Sequence, residues 1–339
     1  MDSLTQIVLG AAVGEAAMGK QIGRKAALWG AVMGTLPDLD VFIVKDAVAS
    51  FTEHRGFSHS LLVQLLITPL LVWLAQKIHP DTRQYRWRWF GLIYLCLATH
   101  ALLDGFTIYG TQLLWPLTNY PFGVGSVFII DPLYTLPLLL CLLFTLVTRS
   151  AYVVRIGLFV SSSYLLWSVI AQHWMHNRFD MAWQQQSQSV AERTLTIPMP
   201  LNTFLWKNIV VTNEGYWIAY ASVFDQDAKT RYQFFDSQQE LISTLSNSSE
   251  VQSLKRFTKG FYQVKQEGDD VWLSDIRMGG YGRFVFNFNV GTVLEDGRVT
   301  ATELVTEKSN RPSGNDTKEG LNAIWHRIWQ QDVDLFKYF

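Results

Sequence analysis

Two aspartates and two histidines lie close together between apolar stretches near the start of the chain. Asp38 and Asp40 follow Pro37, and His54 and His59 belong to the sequence HRGFSH. A charged side chain in lipid costs about 2.5–3.5 kcal/mol on insertion scales, so such charges usually mark function or pairing. The alternative is that Pro37 and Asp38 merely cap a helix at the membrane interface. That interpretation explains one aspartate well but explains two poorly. The glycine of the histidine motif allows a loop in which both imidazoles point inward, as metal sites require.

A third motif, His100 with Asp104, lies inside a later apolar run. The two residues are four positions apart, so on a helix their side chains share one face. Zinc-binding helices use this spacing, and a carboxylate can also orient a metal-bound imidazole through a hydrogen bond. The alternative is a buried neutral histidine that hydrogen-bonds to the aspartate. The three motifs together predict ligands for one or two divalent cations: Asp38, Asp40, His54, His59, His100 and Asp104.

The chemistry of these ligands favours metal-assisted hydrolysis. Mixed nitrogen and oxygen ligands suit zinc, manganese or iron better than calcium, and zinc is the metal that we favour. A spare carboxylate, Asp40 or Asp104, would act as the general base. Arg55 would stabilise developing negative charge, or it would pair with one of the aspartates. Four further polar residues are candidates for additional ligands or supporting contacts: Asp2, Gln6, Glu15 and Asp131.

The composition divides the chain into an apolar half and a more polar half. Hydrophobic residues make up 49% of the chain and charged residues only 17%, values between those of soluble and membrane proteins. Several apolar runs are shorter than the roughly 20 residues of an ideal span, so some are candidates for tilted or re-entrant segments. We predict a membrane α-helical bundle of about six helices, from the apolar runs at residues 3–19, 26–44, 60–76, 89–103, 127–147 and 156–175.

The charges of the connecting segments predict the orientation of this bundle. The segments after the first, third and fifth runs hold most of the Lys and Arg of this half, whereas those after the second and fourth hold only Lys45 and Arg55. Basic segments stay in the cytoplasm, which places the N-terminus and everything beyond residue 176 outside. The second and fourth runs then end, and the third begins, at the outer surface. All six predicted ligands therefore share one level of the bilayer.

The part of the chain beyond the last apolar run has the pattern of a soluble domain. Residues 177–197 predict a polar linker helix, and Pro198 and Pro200 mark the boundary that follows. Beyond it, stretches rich in aromatic and β-branched residues alternate with turn residues, which predicts an α+β domain with a mainly antiparallel sheet. This part shows no metal-ligand spacing, nucleophile elbow or phosphate loop. The predicted division is a membrane domain at 1–176, the linker, and an α+β domain at 198–339.

Four separate motifs, in order, resemble those of the YdjM-like family of inner-membrane, metal-dependent hydrolases. The resemblance covers roughly residues 1–145, although many members carry histidine where this chain has Gln6. It implies an integral protein of the bacterial inner membrane, with a divalent-metal hydrolase site made of the six predicted ligands. The matching stretches are MDSLT at residues 1–5, GTLPDLD at 34–40, HRGFSH at 54–59 and THALLD at 99–104.

These observations predict an integral membrane hydrolase that acts on an ester or phosphoester at the outer membrane–water interface. A site near the membrane surface favours a membrane lipid or a small lipid-linked ester as substrate. The net charge of −1 gives no basic field that would favour nucleic acid as a partner. The alternative is a non-enzymatic membrane protein, either a metal transporter or a structural polar cluster with an extracytoplasmic partner-binding domain. A transport pathway would place ionisable groups at several depths, and here, except for Glu15, they gather at one level.

Alkaline phosphatase fused to the C-terminus tests the orientation, because this reporter is active only outside the cytoplasm. Six crossings with the basic segments inside predict an active C-terminal fusion and an inactive fusion after Asp81, which lies in a basic segment. Phosphatase activity is measured in cells and divided by the amount of fusion protein on an immunoblot. A stable but inactive C-terminal fusion would overturn the six-crossing arrangement.

Overall fold

The chain forms two compact units. A helical unit comprises residues 1–42, 55–170 and 200–203, and a sheet unit comprises residues 171–199 and 204–338. The computed structural model describes residues 1–42, 55–186, 189–226, 230–243, 245, 248–280, 283–296, 298–307 and 314–338.

Six α-helices of the described residues account for the six apolar runs predicted from the sequence. They are α1 (Ser3–Ile22), α2 (Lys25–Thr35), α3 (Leu61–Ile78), α4 (Arg86–Gly105), α5 (Pro132–Thr148) and α6 (Ala151–Gln186). Three of them begin after a polar residue whose side chain accepts a backbone N–H: Asp2 before α1, Ser60 before α3 and Asp131 before α5. Helix α6 extends well beyond its apolar run and includes much of the predicted linker helix.

The two ends of the helical unit differ in chemistry. At one end, which we call the site end, α1, α3 and α5 begin and α2 and α4 finish. A hydrogen bond of 2.7 Å between the hydroxyl groups of Thr5 and Thr135 joins the starts of α1 and α5 there. At the opposite, basic end, Nε of Arg24 donates to the carbonyl oxygen of Leu146 at 3.0 Å. The polarity of the helices thus brings the segments that carry the predicted ligands to one end.

Helices α1 and α2 pack backbone against backbone because glycines face each other. Gly10 and Gly14 are one turn apart on α1, and Gly30 and Gly34 are one turn apart on α2. A Cβ atom at Gly30 would lie 2.1 Å from the carbonyl oxygen of Gly10, and one at Gly10 would lie 2.3 Å from that of Gly30. Small residues of this kind allow helices to approach closely. The contact fixes α2, and the segment that follows it, against the start of α1.

Proline ends α2 and frees a carbonyl group that the site uses. Pro37 has no N–H to continue the α-helical hydrogen bonds, so α2 stops just before it and the chain continues as a 3₁₀ helix over Leu36–Phe42. In a 3₁₀ helix the carbonyl of Gly34 would accept from residue 37, which has no donor. That oxygen lies instead 2.6 Å from Nδ1 of His100. The 3₁₀ helix itself carries both aspartates of the first motif.

Large apolar side chains cover the outer faces of the later helices. Leu66 on α3 is 79% exposed, and Val147 on α5 is 77% exposed. Two described helices, α3 and α6, are long and apolar enough to cross a membrane, and only 22% of the most apolar window in each is buried. Helix α5 is also apolar but shorter. The crossing of a membrane by all six helices stays a prediction.

The sheet unit contains two four-stranded antiparallel sheets, in agreement with the predicted α+β class. In spatial order the first sheet consists of β1 (Arg193–Pro198), β2 (Leu205–Thr212), β3 (Gly215–Ser222) and β4 (Gln233–Asp236). The second consists of β10 (Val299–Glu307), β9 (Asn287–Val293), β6 (Asp270–Asp275) and β5 (Tyr262–Glu267). The described residues of this unit also form the short pair β7 (Gly279–Gly280) and β8 (Arg283–Phe284), the helices α7 (Ser249–Phe257) and α8 (Gly314–Trp329), and two short 3₁₀ helices, Gln239–Ile242 and Leu335–Lys337.

Strand β1 differs from the prediction for the linker. Residues 193–197 were expected to be helical, but they pair with β2 in an antiparallel register, in which Thr196 lies opposite Asn208. Thr194, Thr196 and Ile197 are β-branched, and such residues favour the extended backbone of a strand. The amide of Asn208 also donates to the hydroxyl of Thr196 at 2.9 Å. The pairing of β1 with β2 and the contact between Thr196 and Asn208 therefore favour a strand here, although the polar pattern of the sequence predicted a helix.

The glycine contact predicts that Gly30→Ala destabilises the helical unit. Its new methyl group meets the backbone of α1, and forcing extra carbon atoms into a packed interface costs about 1–3 kcal/mol. The matched control is Gly91→Ala on α4, where a Cβ atom meets nothing within 4 Å and helix propensity improves. The measurement is the midpoint of thermal unfolding of the detergent-solubilised protein. Equal midpoints for the two variants would contradict the backbone contact.

Candidate metal centre

Four ligand atoms from three segments converge at the site end of the helical unit. Oδ1 of Asp38 comes from the 3₁₀ helix after α2, and Nε2 of His59 from the short segment before α3. Nε2 of His100 and Oδ2 of Asp104 come from one face of α4, as their spacing predicts. All four atoms lie within 4.8 Å of one another. We call these residues the four-residue cluster.

Five of the six separations within the four-residue cluster are close to those of a tetrahedral metal site. Nε2 of His59 lies 3.5 Å from Oδ1 of Asp38 and 3.4 Å from Oδ2 of Asp104. Nε2 of His100 lies 3.3 Å and 3.8 Å from the same two oxygens, and the two nitrogens are 3.1 Å apart. Zinc binds such atoms at about 2.0–2.2 Å, so a regular tetrahedron of them has edges of about 3.3–3.6 Å. The donor set therefore fits a zinc-sized ion.

Hydrogen bonds determine which nitrogen of each imidazole faces the cluster. A carbonyl oxygen can only accept, so Nδ1 of His100, 2.6 Å from the carbonyl oxygen of Gly34, carries the hydrogen. Its Nε2 then presents a lone pair to the cluster. In His59, Nδ1 lies 2.8 Å from the hydroxyl of Ser58, and Nε2 faces His100. Two nitrogen lone pairs at 3.1 Å repel each other unless a proton or a metal ion lies between them.

The carboxylate of Asp104 is buried and is approached from several sides. Its Oδ1 accepts hydrogen bonds from the backbone nitrogen of Met1 and from Nε2 of Gln6, the latter at 3.0 Å. Nε of Arg55 lies 3.1 Å from Oδ2, although Oδ2 has no partner of good hydrogen-bond geometry within the described residues. A buried carboxylate oxygen is costly without a compensating partner. Asp104 is therefore placed either to bind a metal ion or to accept a proton from water bound to one.

Burial and mutual hydrogen bonding shift the protonation of the cluster. Burial opposes the charged form of Asp38, but the nearby imidazoles of His100 and His59, in their protonated forms, stabilise the carboxylate and lower the pKa of Asp38. Burial likewise opposes the charged form of His59, but the nearby carboxylates of Asp104 and Asp38 stabilise the imidazolium and raise the pKa of His59. A metal ion would have to displace the proton from His59. Metal binding should therefore weaken as the pH falls.

Asp40 lies behind a ligand rather than in the four-residue cluster. Its Oδ2 accepts a hydrogen bond from Ser58 at 2.6 Å and lies 3.8 Å from Nδ1 of His59, the nitrogen that faces away from His100. A 3₁₀ helix has three residues per turn, so side chains two positions apart point about 120° away from each other. Asp38 and Asp40 therefore face different points. His54 lies outside the described residues, and its role as a ligand stays a prediction.

The lesser candidates separate into one contact of the cluster and three structural residues. Gln6 contacts Asp104 and also lies 3.3 Å from the carbonyl oxygen of His100. Asp2 and Asp131 accept backbone N–H groups at the starts of α1 and α5. Glu15 lies further along α1, and none of these three belongs to a metal-ligand group among the described residues.

Two contacts that orient the imidazoles were missed by the sequence analysis. The carbonyl of Gly34 leaves no side-chain signal, although a proline three residues later indicates that this oxygen lacks a helical partner. The hydroxyl of Ser58 is adjacent to His59 in the chain, but adjacency alone does not show that the two side chains bond. Both contacts depend on the backbone conformation, which spacing does not reveal.

Arg55 closes the site next to Asp104. Its Nη1 donates to the hydroxyl of Thr107 at 3.0 Å, and its carbonyl oxygen accepts from the backbone N–H of Gln112 at 3.0 Å. Its φ of 69° lies in the left-handed region, which is uncommon for residues other than glycine. Such a conformation persists where surrounding contacts enforce it, and it is frequent at functional sites. The guanidinium, 12% exposed, is thus held between the cluster and the solvent.

Known proteins share the region that carries this site. The model of the YdjM inner membrane protein family matches residues 1–175, just over half of the chain. The chain belongs to the YdjM inner membrane protein family. The matched region contains the whole four-residue cluster and all of the helical unit except residues 200–203. Membership in YdjM confirms the resemblance seen in the four motifs.

Two relatives match part of the chain. The uncharacterized protein YfhP of Bacillus subtilis is 29% identical over 141 residues, which cover 39% of this chain and 42% of YfhP. The inner membrane protein YbcI of Escherichia coli is 33% identical over 105 residues, which cover 27% of this chain and 54% of YbcI. The chain thus spans about half the length of these relatives. No solved structure matches it significantly.

The geometry predicts that the purified YdjM family protein holds a divalent metal that an Asp38→Ala/His59→Ala variant loses. Removing two residues of the four-residue cluster should lower the bound metal about tenfold or more, since even changes beyond the ligands weaken metal sites by 10–100-fold. The matched control is His173→Gln/Asp180→Asn, which changes an exposed histidine and an exposed aspartate of α6. Metal per protein is measured by mass spectrometry of the elements. Equal content in the cluster variant and the wild type would remove the basis for a metal site.

Proposed function

We propose that the protein is an integral membrane hydrolase that uses a divalent metal, with zinc favoured, to cleave an ester or phosphoester. The observation that carries the proposal is the convergence of two carboxylate oxygens and two imidazole nitrogens within 4.8 Å of one another, with five of the six separations at 3.1–3.8 Å. Mixed histidine and carboxylate ligands are typical of hydrolytic zinc centres. Membership in an inner membrane protein family supports the membrane location.

Three residues of the cluster are suited to hold the ion. Catalytic zinc sites use three protein ligands and keep a further position open. Asp38, His59 and His100 supply such a set, and the side chain of Asp38 is 27% exposed, which leaves the site accessible on that side. When bound, the ion lowers the pKa of water and polarises the oxygen of the ester or phosphoester.

Asp104 is the carboxylate best placed to accept the proton of the attacking water. Its Oδ2 faces both imidazoles and has no hydrogen bond of good geometry, while Gln6 holds Oδ1 in place. Asp40, the other predicted base, already accepts a hydrogen bond from Ser58 and is separated from the cluster by the ring of His59. We therefore assign the general base to Asp104 and a supporting role to Asp40.

Arg55 favours a phosphoester over a neutral ester as the substrate. Its guanidinium lies 3.1 Å from Asp104, is anchored by Thr107, and is partly exposed. A guanidinium in such a position binds phosphate oxygens and stabilises negative charge that develops during hydrolysis. A neutral ester would make less use of this charge before the transition state.

The surroundings of the site favour a substrate with an apolar chain. Helix α3 begins two residues after His59, and Leu65 and Leu66 in its first turns are 42% and 79% exposed. An exposed apolar face on a membrane protein is suited to contact with lipid. We therefore favour a membrane lipid or a lipid-linked phosphoester, hydrolysed at the outer surface of the bacterial inner membrane, where the pattern of basic segments predicts the site to lie.

A structural polar cluster is the rival function, and one observation favours it. Arg55 and the two imidazoles lie close enough to Asp104 and Asp38 to compensate their charge without any metal. Such a cluster would hold the helices together and would bind no ion. The two functions differ in the role of Asp104, since a structural cluster needs its charge and a hydrolase needs its proton transfer.

Hydrolysis by the zinc-loaded, full-length protein separates these functions. The probes are bis(p-nitrophenyl) phosphate and the neutral ester p-nitrophenyl butyrate, and we expect the phosphodiester to be preferred. Asp104→Asn should keep the metal but lower kcat about 10²–10⁴-fold, the usual contribution of a general base. The His173→Gln/Asp180→Asn control should keep full activity. Wild-type protein that carries zinc and hydrolyses neither probe would contradict the hydrolase, and normal kcat in Asp104→Asn would contradict the assigned base.

A further inference from the structure

The hydroxyl of Ser58 lies between a metal ligand and a carboxylate outside the four-residue cluster. We propose that Ser58, supported by Asp40, is a positioning residue that holds His59 in the tautomer with the hydrogen on Nδ1. In that tautomer Nε2 presents its lone pair to the cluster. The role in metal binding rests on the proposed function, whereas the tautomer is a property of the chain itself.

The hydrogen bonds of the Ser58 hydroxyl require a hydrogen on Nδ1 of His59. Its Oγ lies 2.6 Å from Oδ2 of Asp40 and 2.8 Å from Nδ1 of His59, and it carries a single hydrogen. An ionised carboxylate can only accept, so the hydroxyl donates to Asp40. The lone pairs of Oγ then accept from His59, which must carry its hydrogen on Nδ1. The 3.8 Å between Asp40 and His59 is too long for a direct hydrogen bond, so the hydroxyl makes the connection.

Neighbouring groups hold Ser58 and Asp40 in place. The carbonyl oxygen of Ser58 accepts a hydrogen bond of 3.0 Å from Nε2 of Gln64, which is itself buried on α3. The backbone N–H of Arg55 donates to Oδ2 of Asp40 at 3.4 Å. The position of the hydroxyl is therefore set by two segments, and a histidine ring that turned over would lose its partner.

The other tautomer of His59 is a real competitor in this site. With the hydrogen on Nε2, the ring would donate towards Oδ1 of Asp38 or Oδ2 of Asp104, at 3.5 Å and 3.4 Å. A nitrogen that carries hydrogen cannot bind a metal ion. His100 is protected from this outcome by the main-chain carbonyl of Gly34, whereas His59 depends on a side chain. Removal of the Ser58 hydroxyl should therefore release the competing tautomer.

Nitrogen NMR of the full-length, metal-free protein with ¹⁵N-labelled histidine tests the tautomer. At a pH above the raised pKa of His59, where the ring is neutral, the wild type should show His59, assigned by its loss in His59→Gln, with hydrogen on Nδ1 only. Ser58→Ala should move the hydrogen to Nε2 in a large share of molecules, and Ser58→Thr should restore the wild-type signal because it keeps the hydroxyl. An unchanged His59 signal in Ser58→Ala would overturn the proposal.

The matched control is Ser60→Ala, two residues along the same segment. The hydroxyl of Ser60 donates to the carbonyl oxygen of Trp115 and caps α3, so its loss should lower the melting temperature. It should leave the nitrogen signals of His59 unchanged. A signal that moves equally in Ser60→Ala and Ser58→Ala would reduce the role of Ser58 to general stability and overturn the proposal.

Zinc affinity, measured by competition with a chelator, tests the consequence for the site. Ser58→Ala should bind zinc about 10–100-fold more weakly, and Ser58→Thr should bind it close to the wild-type affinity. Equal affinities of wild type and Ser58→Ala would overturn the role in metal binding. Wild-type protein that binds no zinc would instead contradict the proposed function, and the tautomer comparison would still decide the role of Ser58.

Discussion

The candidate metal centre brings two carboxylate oxygens and two imidazole nitrogens within 4.8 Å of one another. The negative charges of the carboxylates repel each other, and so do the lone pairs of the two nitrogens. At that distance two ionised carboxylates oppose each other by about 3–4 kcal/mol, with an effective dielectric constant of 20. Positive charge must compensate them, and its sources are Arg55, the amino group of Met1, a proton on His59 and a bound metal ion. Arg55 and Met1 contact Asp104, so the point where Asp38 meets both imidazoles requires either a proton on an imidazole or a metal ion. The folded helical unit has to hold these groups together against this repulsion.

The scaffold meets this requirement with contacts that tolerate little change. Glycines bring α2 against α1, so the 3₁₀ helix that carries Asp38 is fixed relative to the start of α1. Pro37 leaves the carbonyl of Gly34 available for His100, which couples the end of one helix to the ligand on another. The backbone of Arg55 is tied to the loop after α4 through Gln112. Each ligand is thus positioned by a contact to a different element.

Much of the site could be predicted from the sequence because spacing and topology are simple constraints. His100 and Asp104 share a face on any α-helix, and the alternation of basic segments brought Asp38 and His59 to their level. Asp40 could not be placed, because side chains two residues apart share one face of a strand but point about 120° apart on a 3₁₀ helix, and the sequence does not reveal which backbone follows Pro37. The six apolar runs predicted the helices well. Strand β1 was missed because its polar residues hide a β-branched pairing pattern.

X-ray absorption at the zinc edge of the zinc-loaded, full-length protein tests whether these residues bind the ion. We expect nitrogen and oxygen ligands at about 2.0–2.2 Å, no sulfur ligand, and the multiple-scattering signature of two imidazoles. The imidazole signal should fall by half in His100→Gln, a variant that removes one of the two nitrogens while leaving the carboxylates in place. A spectrum of zinc surrounded by water oxygens alone, or one that is identical in wild type and His100→Gln, would show that the ion is not held by these residues.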